Sequence, residues 1–174
     1  MEECKKGYVQ VYTGNGKGKT TASFGLALRA AMAGKKVFIG QFVKGMPYSE
    51  LKAPEFIKNI EIRQYGADCF IVKAPTEHDI KIAKDGLAEM REILKSGKYD
   101  VVIMDEANIA LFYHLFSSEE LIDAVKNRAE KVEVVITGRY APQEIIDFAD
   151  LVTEMKEIKH YYTKGVEART GIEK

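Results

Sequence analysis

TGNGKGKTT, residues 13–21, follows a short β-rich run and opens an alanine- and leucine-rich stretch. Strand, glycine turn and helix in that order form the arrangement that wraps the phosphates of a nucleotide. Gly14, Gly16 and Gly18 let backbone N–H groups converge on an anion, and the helix that starts beside them adds its own unsatisfied N–H groups. Lys19 brings a point charge to the phosphates, and Thr20 a hydroxyl to Mg²⁺. The spacing departs from the usual pattern, because Thr13 stands where a glycine is expected and the glycine comes one residue later, at Gly14. The plainer reading is a glycine-rich turn carrying a solvated lysine pair.

Around this loop the chain alternates apolar strands with helical segments. GYVQVYTG (7–14) reads as a strand, residues 18–33 as a helix closed by Gly34, KKVFIGQFVKG (35–45) as a second strand and IEIRQY (60–65) as a third. Thr76 with Asp79 in the capping-box place opens a helix that runs to Gly97, and Ser117 with Glu120 opens another. YDVVIMDEAN (99–108) and VEVVITGR (132–139) are strands. A short helix with Pro142 in its first turn and a last strand, LVTEMKEI (151–158), complete the order. Continuous apolar runs joined by helices predict an α/β fold, a mostly parallel sheet covered on both faces. Residues 45–75 and 160–174 fit this scheme badly, and long irregular segments in compact domains are more often functional than decorative.

A length of 174 residues suits one domain, residues 1–174. Lysine plus arginine and aspartate plus glutamate each total 26, so the balance gives no support for a nucleic-acid partner. The longest apolar region, around ASFGLALRAAMAG (22–34), contains Arg29 and falls short of a bilayer span; the expectation is a cytoplasmic protein with no membrane association. Cys4 and Cys69 lack a metal-binding spacing and read as reduced thiols.

At the end of the strand VVIMDE, Asp105 and Glu106 should point to opposite faces. One belongs near a metal, and the other orients the loop or its threonine. Common phosphate-loop ATPases favour Asp105 as the metal-side group. Arg139 follows another apolar strand at the same sheet edge and can neutralise a leaving phosphate. His78, His114 and His160 form no metal pattern, and no serine or cysteine stands at a readable spacing from a histidine. The site is equipped to bind a polyphosphate and not to supply the attacking atom.

TGNGKGKTTASFG, QFVKG, VVIMDEANIAL, VVITGRYAP and IKHYYTKGVEARTGIE together resemble the ATP:corrinoid adenosyltransferases of the CobA/BtuR type, over residues 7–173. The resemblance implies a doubly wound, RecA-like phosphate-loop domain, usually a homodimer. It implies transfer of the 5′-deoxyadenosyl group of ATP to the cobalt of a reduced Co(I) corrinoid, with release of triphosphate, and ATP lying reversed across the loop. On this basis Gly14, Asn15, Gly16, Lys17, Gly18, Lys19, Thr20 and Thr21 hold the triphosphate. Lys19 and Arg139 are the catalytic charges, and Arg29 lies close to the nucleotide. Thr20 and Glu106, instead of Asp105, ligate Mg²⁺, with Mn²⁺ as a possible replacement. The substrate is cobalamin, cobinamide or an a,c-diamide precursor, reduced by a flavodoxin or flavin reductase.

The chain departs from that family in three places. Residues 1–12 alone precede the loop, so the N-terminal cover of other members is expected to be reduced or supplied otherwise. The stretch matching an aromatic loop reads GADCFIVKAP (66–75), without tryptophan, which leaves Phe70 or Tyr65 to substitute. Where members carry an aromatic and DAG after the histidine, this chain has YYTKG (161–165). A phosphate-loop kinase or NTPase and a non-catalytic corrinoid or nucleotide carrier are the alternative readings.

Overall fold

The computed structural model describes residues 6–67, 71 and 74–174. The expectations for Cys4, Cys69 and Phe70 lie outside the described residues. Six strands, β1 (Val9–Thr13), β2 (Val37–Phe42), β3 (Ile60–Tyr65), β4 (Val101–Asp105), β5 (Glu133–Thr137) and β6 (Leu151–Glu154), form one sheet in the order β3-β2-β4-β5-β1-β6. Every pairing is parallel. The inner strands therefore read as unbroken apolar runs: β2 and β4 are buried along their whole length.

Helices cover both faces. On one, α1 (Lys19–Met32) lays Ala27, Ala30 and Ala31 over Val37, Ile39, Val101, Ile103 and Val135, and its small side chains let it lie close to the sheet. On the other, α3 (Glu77–Ser96), α5 (Ser118–Lys126) and α6 (Gln143–Phe148) pack Leu87, Met90, Leu94, Leu121 and Ile145 with Phe38, Val102, Met104 and Ile136. Both predicted capping boxes are formed, Thr76 with Asp79 and Ser117 with Glu120. Gly86 costs α3 some helical stability, about 1 kcal/mol against alanine. A Cβ there would stand 2.4 Å from the Tyr65 ring, so the glycine is what lets that ring pack beneath the helix.

Several boundaries differ from the sequence reading. β6 ends at Glu154 instead of continuing to residue 158, and it pairs only with β1, as an exposed edge strand. Pro142 precedes α6 as its cap instead of occupying the first turn. The segment read as strand through residue 108 turns at Glu106 into a short helix, α4 (Ala107–Phe112). Residues 45–75 hold, besides β3, a 3₁₀ turn (Ser49–Lys52) and α2 (Ala53–Phe56), and a second 3₁₀ turn spans Tyr161–Lys164.

Candidate active site

The C-terminal ends of β1, β2, β4 and β5 open onto one cleft of ≈ 680 Å³. Such an edge is where open parallel sheets place their ligands. β1 delivers the glycine loop, β2 delivers Val43 and Lys44, β4 delivers Glu106 and β5 delivers Arg139, all lining the cleft.

The displaced glycine of the loop has a local explanation. Thr13 is still strand: its carbonyl accepts from Met155 N–H at 2.9 Å and its hydroxyl accepts from Ala141 N–H at 3.3 Å. The turn begins at Gly14, with φ +93°, where a Cβ would stand 2.4 Å from the Met155 carbonyl oxygen. Gly16 is equally confined by Met155 and Lys156, and its N–H donates to the Met155 carbonyl at 2.7 Å. That N–H is therefore not turned to an anion, contrary to the expectation of three converging glycines. Lys17 to Thr21 line the cleft, while Gly14, Asn15 and Gly16 do not. Lys19 Nζ donates to the carbonyls of Gly14 and Gly16, both at 2.8 Å, so the loop curls around its own lysine. Burial, and then the charge of Arg139, lower the Lys19 pKa, against the opposing pull of Glu106 and Asp105.

The acidic pair separates as expected, though by a turn at Glu106 and not by strand alternation. Asp105 is fully buried. Its Oδ1 accepts from Thr20 Oγ1 at 2.9 Å and Thr137 Oγ1 at 2.7 Å, and its Oδ2 from Gln41 Nε2 at 3.2 Å and Lys44 Nζ at 2.9 Å. Both oxygens are thus engaged within the chain, and Asp105 is the group that orients Thr20. Glu106 leaves the strand with φ +58°, its N–H donating to Thr137 Oγ1 at 3.0 Å, and its side chain turns into the cleft. No described residue donates a hydrogen bond to its carboxylate. Burial, and next the charge of Asp105, raise its pKa. A desolvated carboxylate without a donor, lining the same cleft as the Thr20 hydroxyl, gives an all-oxygen set that fits a hard divalent cation. The assignment to Asp105 that common ATPases suggest is not the one this geometry favours.

Other sequence expectations fare differently. Arg139 lines the cleft, and so do Lys44 and His160. Arg29 is not brought there: it sits on the exposed side of the last turn of α1, ten residues beyond Lys19, about 15 Å along the axis. Tyr65 is buried in the core, its ring 5.3 Å from that of Phe42 and its hydroxyl donating to Glu89 at 3.0 Å, so it does not substitute for an aromatic cleft loop.

Lys44 is a cleft residue that the sequence motifs do not single out. Its ammonium lies 2.9 Å from Asp105, 3.5 Å from Thr20 Oγ1 and 3.8 Å from Glu50, and those carboxylates hold its pKa up against burial. A lysine two residues past the buried strand VFIGQF, at the ligand edge, is the signal the sequence offers. The C-terminal tail also closes on the loop. Lys17 Nζ reaches the Ile172 carbonyl at 3.4 Å and Glu173 at 3.7 Å, and Ser49 Oγ donates to the Lys174 carbonyl at 3.0 Å. Glu173 accepts from Arg169 and Tyr161, which hold its pKa down to about 2.

The chain matches, over residues 5–173, the family described as ATP:corrinoid adenosyltransferase BtuR/CobO/CobP. It is 34% identical to the corrinoid adenosyltransferase of Escherichia coli strain K12, covering 97% of this chain and 86% of that one. Corrinoid adenosyltransferase CobA of Salmonella typhimurium is 35% identical over the same shares. Among solved structures, the RadB recombinase superposes with a TM-score of 0.53 over 90% of this chain and 77% of that one, at 12% identity, a likeness of fold alone. The fold thus has a counterpart in that recombinase, and no helix among the described residues is long and apolar enough to cross a membrane. The family match covers every strand and helix of the sheet that builds the cleft, and the chain belongs to the ATP:corrinoid adenosyltransferases, which take ATP as co-substrate and move its adenosyl group to a corrinoid cobalt.

Proposed function

We propose that residues 1–174 act as one unit that transfers the 5′-deoxyadenosyl group to a Co(I) corrinoid and releases triphosphate whole. The observation that carries this reading is a cleft with cations and N–H groups for a polyphosphate and, among the described lining residues, no serine or cysteine paired with a histidine. Among the described lining residues, the Ser49 hydroxyl is bonded to the Lys174 carbonyl, and His160 Nδ1 accepts the Tyr162 N–H.

In the reaction, the Co(I) centre of the substrate gives an electron pair to C5′. The C5′–O bond breaks, and triphosphate leaves with the bonding pair. Charge on the phosphates is met by Lys19, by Arg139 and by the loop from Lys17 to Thr21, while Gly14, Asn15 and Gly16 shape that loop and hold the Lys19 ammonium in reserve. Because the loop is fixed by its own hydrogen bonds, its dipoles need little reorganisation as charge develops. Thr20 and Glu106 hold Mg²⁺, or Mn²⁺, which when bound neutralises charge on the departing triphosphate. Asp105 keeps the Thr20 hydroxyl in place. ATP lies reversed across the loop, so that C5′ faces the open side of the cleft and the phosphorus atoms do not.

The protein is proposed to work as a homodimer on cobalamin, cobinamide or an a,c-diamide precursor, with a flavodoxin or flavin reductase supplying Co(I), in the cytoplasm and without a nucleic-acid partner. Phosphorus NMR of a completed reaction tests the bond that breaks. Tripolyphosphate as the phosphorus product is expected; ADP and orthophosphate in its place would mark a kinase or NTPase.

A further inference from the structure

A ladder of three rings runs from the cleft to the surface. Tyr113 lines the cleft and meets Phe112 edge-on at 5.4 Å between centroids, and Phe112 lies 4.5 Å from Tyr140 with the ring planes 33° apart. The outer two rings are half in water, Phe112 51% and Tyr140 53% exposed. The ring pairs of the core, Phe38 with Tyr99 and Phe42 with Tyr65 and Phe116, are by contrast buried. A lone exposed aromatic needs no explanation, but two held face to face in solvent at the rim of a binding cleft do.

The backbone holds Tyr140 in place at a cost. Its φ is +61°, a region that a residue with a β-carbon seldom occupies and that tends to occur at functional sites. The turn that imposes this is fastened on both sides: the Gly138 carbonyl accepts from Asn108 Nδ2 at 3.1 Å, and Ala141 N–H donates to Thr13 Oγ1 at 3.3 Å. Arg139, between them, lines the cleft. One rigid turn therefore presents a cation to the polyphosphate and, at the next residue, an aromatic face to whatever lies at the mouth.

We propose that Phe112 and Tyr140 are a docking platform for the corrin macrocycle of the second substrate. This rests on the adenosyl-transfer reading above. A cleft of ≈ 680 Å³ is of the size that encloses a single small ligand, so a nucleotide fills most of it and a second, wider, flat substrate has to rest partly at the rim. Aromatic faces stack on flat conjugated surfaces without needing a fixed hydrogen-bond pattern. The ladder is continuous with the cleft through Tyr113, so a ring seated on it has its inner edge towards the nucleotide. A platform built on a fixed turn orients that substrate at small entropic cost.

The test is equilibrium dialysis with cob(II)alamin and, separately, with ATP, on wild-type protein and the Phe112→Ala/Tyr140→Ala double variant, with oligomeric state followed by light scattering. The double variant should bind cob(II)alamin on the order of tenfold more weakly and ATP within about twofold of wild type. A Phe112→Tyr/Tyr140→Phe variant, which keeps both rings, should retain the wild-type affinity for cob(II)alamin. Unchanged cob(II)alamin binding in the double alanine variant overturns the platform alone, as does a parallel loss of ATP binding. A shift in oligomeric state with corrinoid affinity intact overturns it in favour of a contact between copies of the chain. Wild-type protein that binds ATP and neither cob(II)alamin, cob(II)inamide nor the cob(II)yrinic acid a,c-diamide overturns the adenosyl-transfer reading, and the platform with it.

Discussion

Asp105, sealed from solvent, accepts hydrogen bonds from Thr20, Thr137, Gln41 and Lys44, while the adjoining Glu106 turns through a left-handed backbone angle into the cleft. The two carboxylates are chemically equivalent in the sequence, and only their surroundings divide the work. Nothing in the string DE announces a positive φ at a glutamate, so this part of the site was not legible from local sequence. Two predictions belong to this scale. Glu106→Gln should weaken Mn²⁺ binding to the ATP complex by roughly tenfold or more, read by electron paramagnetic resonance, with the urea unfolding midpoint unchanged or raised because a desolvated charge has gone. Lys44→Met removes the cation that compensates Asp105, and leaving a buried carboxylate without it should destabilise the fold by about 3 kcal/mol. Adding Asp105→Asn to Lys44→Met should recover part of that loss in the same urea experiment. Equal stability of wild type and Lys44→Met would deny the pair its structural role.

Elements with local signals were readable, and those fixed by tertiary packing were not. The capping boxes at Thr76 and Ser117 mark α3 and α5 because the side chains that start those helices act within one turn. The six-residue α4 has no such cap and begins where Glu106 breaks the strand, and β6 stops early because only β1 is there to pair with it. The loop itself is held against the exit of β6: a methyl group on Gly14 would meet the Met155 carbonyl at 2.4 Å with φ already at +93°. Gly14→Ala should therefore destabilise the protein by about 2 kcal/mol or more and weaken ATP binding, measurable by calorimetry.

The tail is a second such element. Glu173, with its pKa lowered to about 2 by Arg169 and Tyr161, tethers it. A carboxyl depressed on folding contributes stability that is complete above its ordinary value of 4.5 and is lost as pH falls from there through about 2. Hydrogen exchange of Tyr161–Lys174, corrected for its intrinsic pH dependence, should accelerate relative to α3 across that interval. Glu173→Gln should produce the same loosening at neutral pH, seen as faster tryptic cleavage after Lys164 and Arg169. Exchange that stays level with α3 would contradict the tether.

At the scale of the whole molecule, four parallel strands bring their C-terminal ends to one edge, and segments distant in sequence meet there. The parallel sheet was legible because buried strands read as unbroken apolar runs. The cleft was legible in part: the glycine loop, the acidic pair and Arg139 stood out in the sequence, whereas Lys44 and Tyr113 become cleft residues only through the strand order. The central claim is that this edge positions ATP for attack by the cobalt of the corrinoid and not by a side chain. Purified protein under anaerobic conditions, given Mg-ATP and chemically reduced cobalamin, tests it most directly. Following Co(I) absorbance while assaying ATP should show both consumed together in equal amounts, with no ATP consumed when the corrinoid is left out. ATP hydrolysed at the same rate without corrinoid, while the Co(I) absorbance stays constant, would contradict the account.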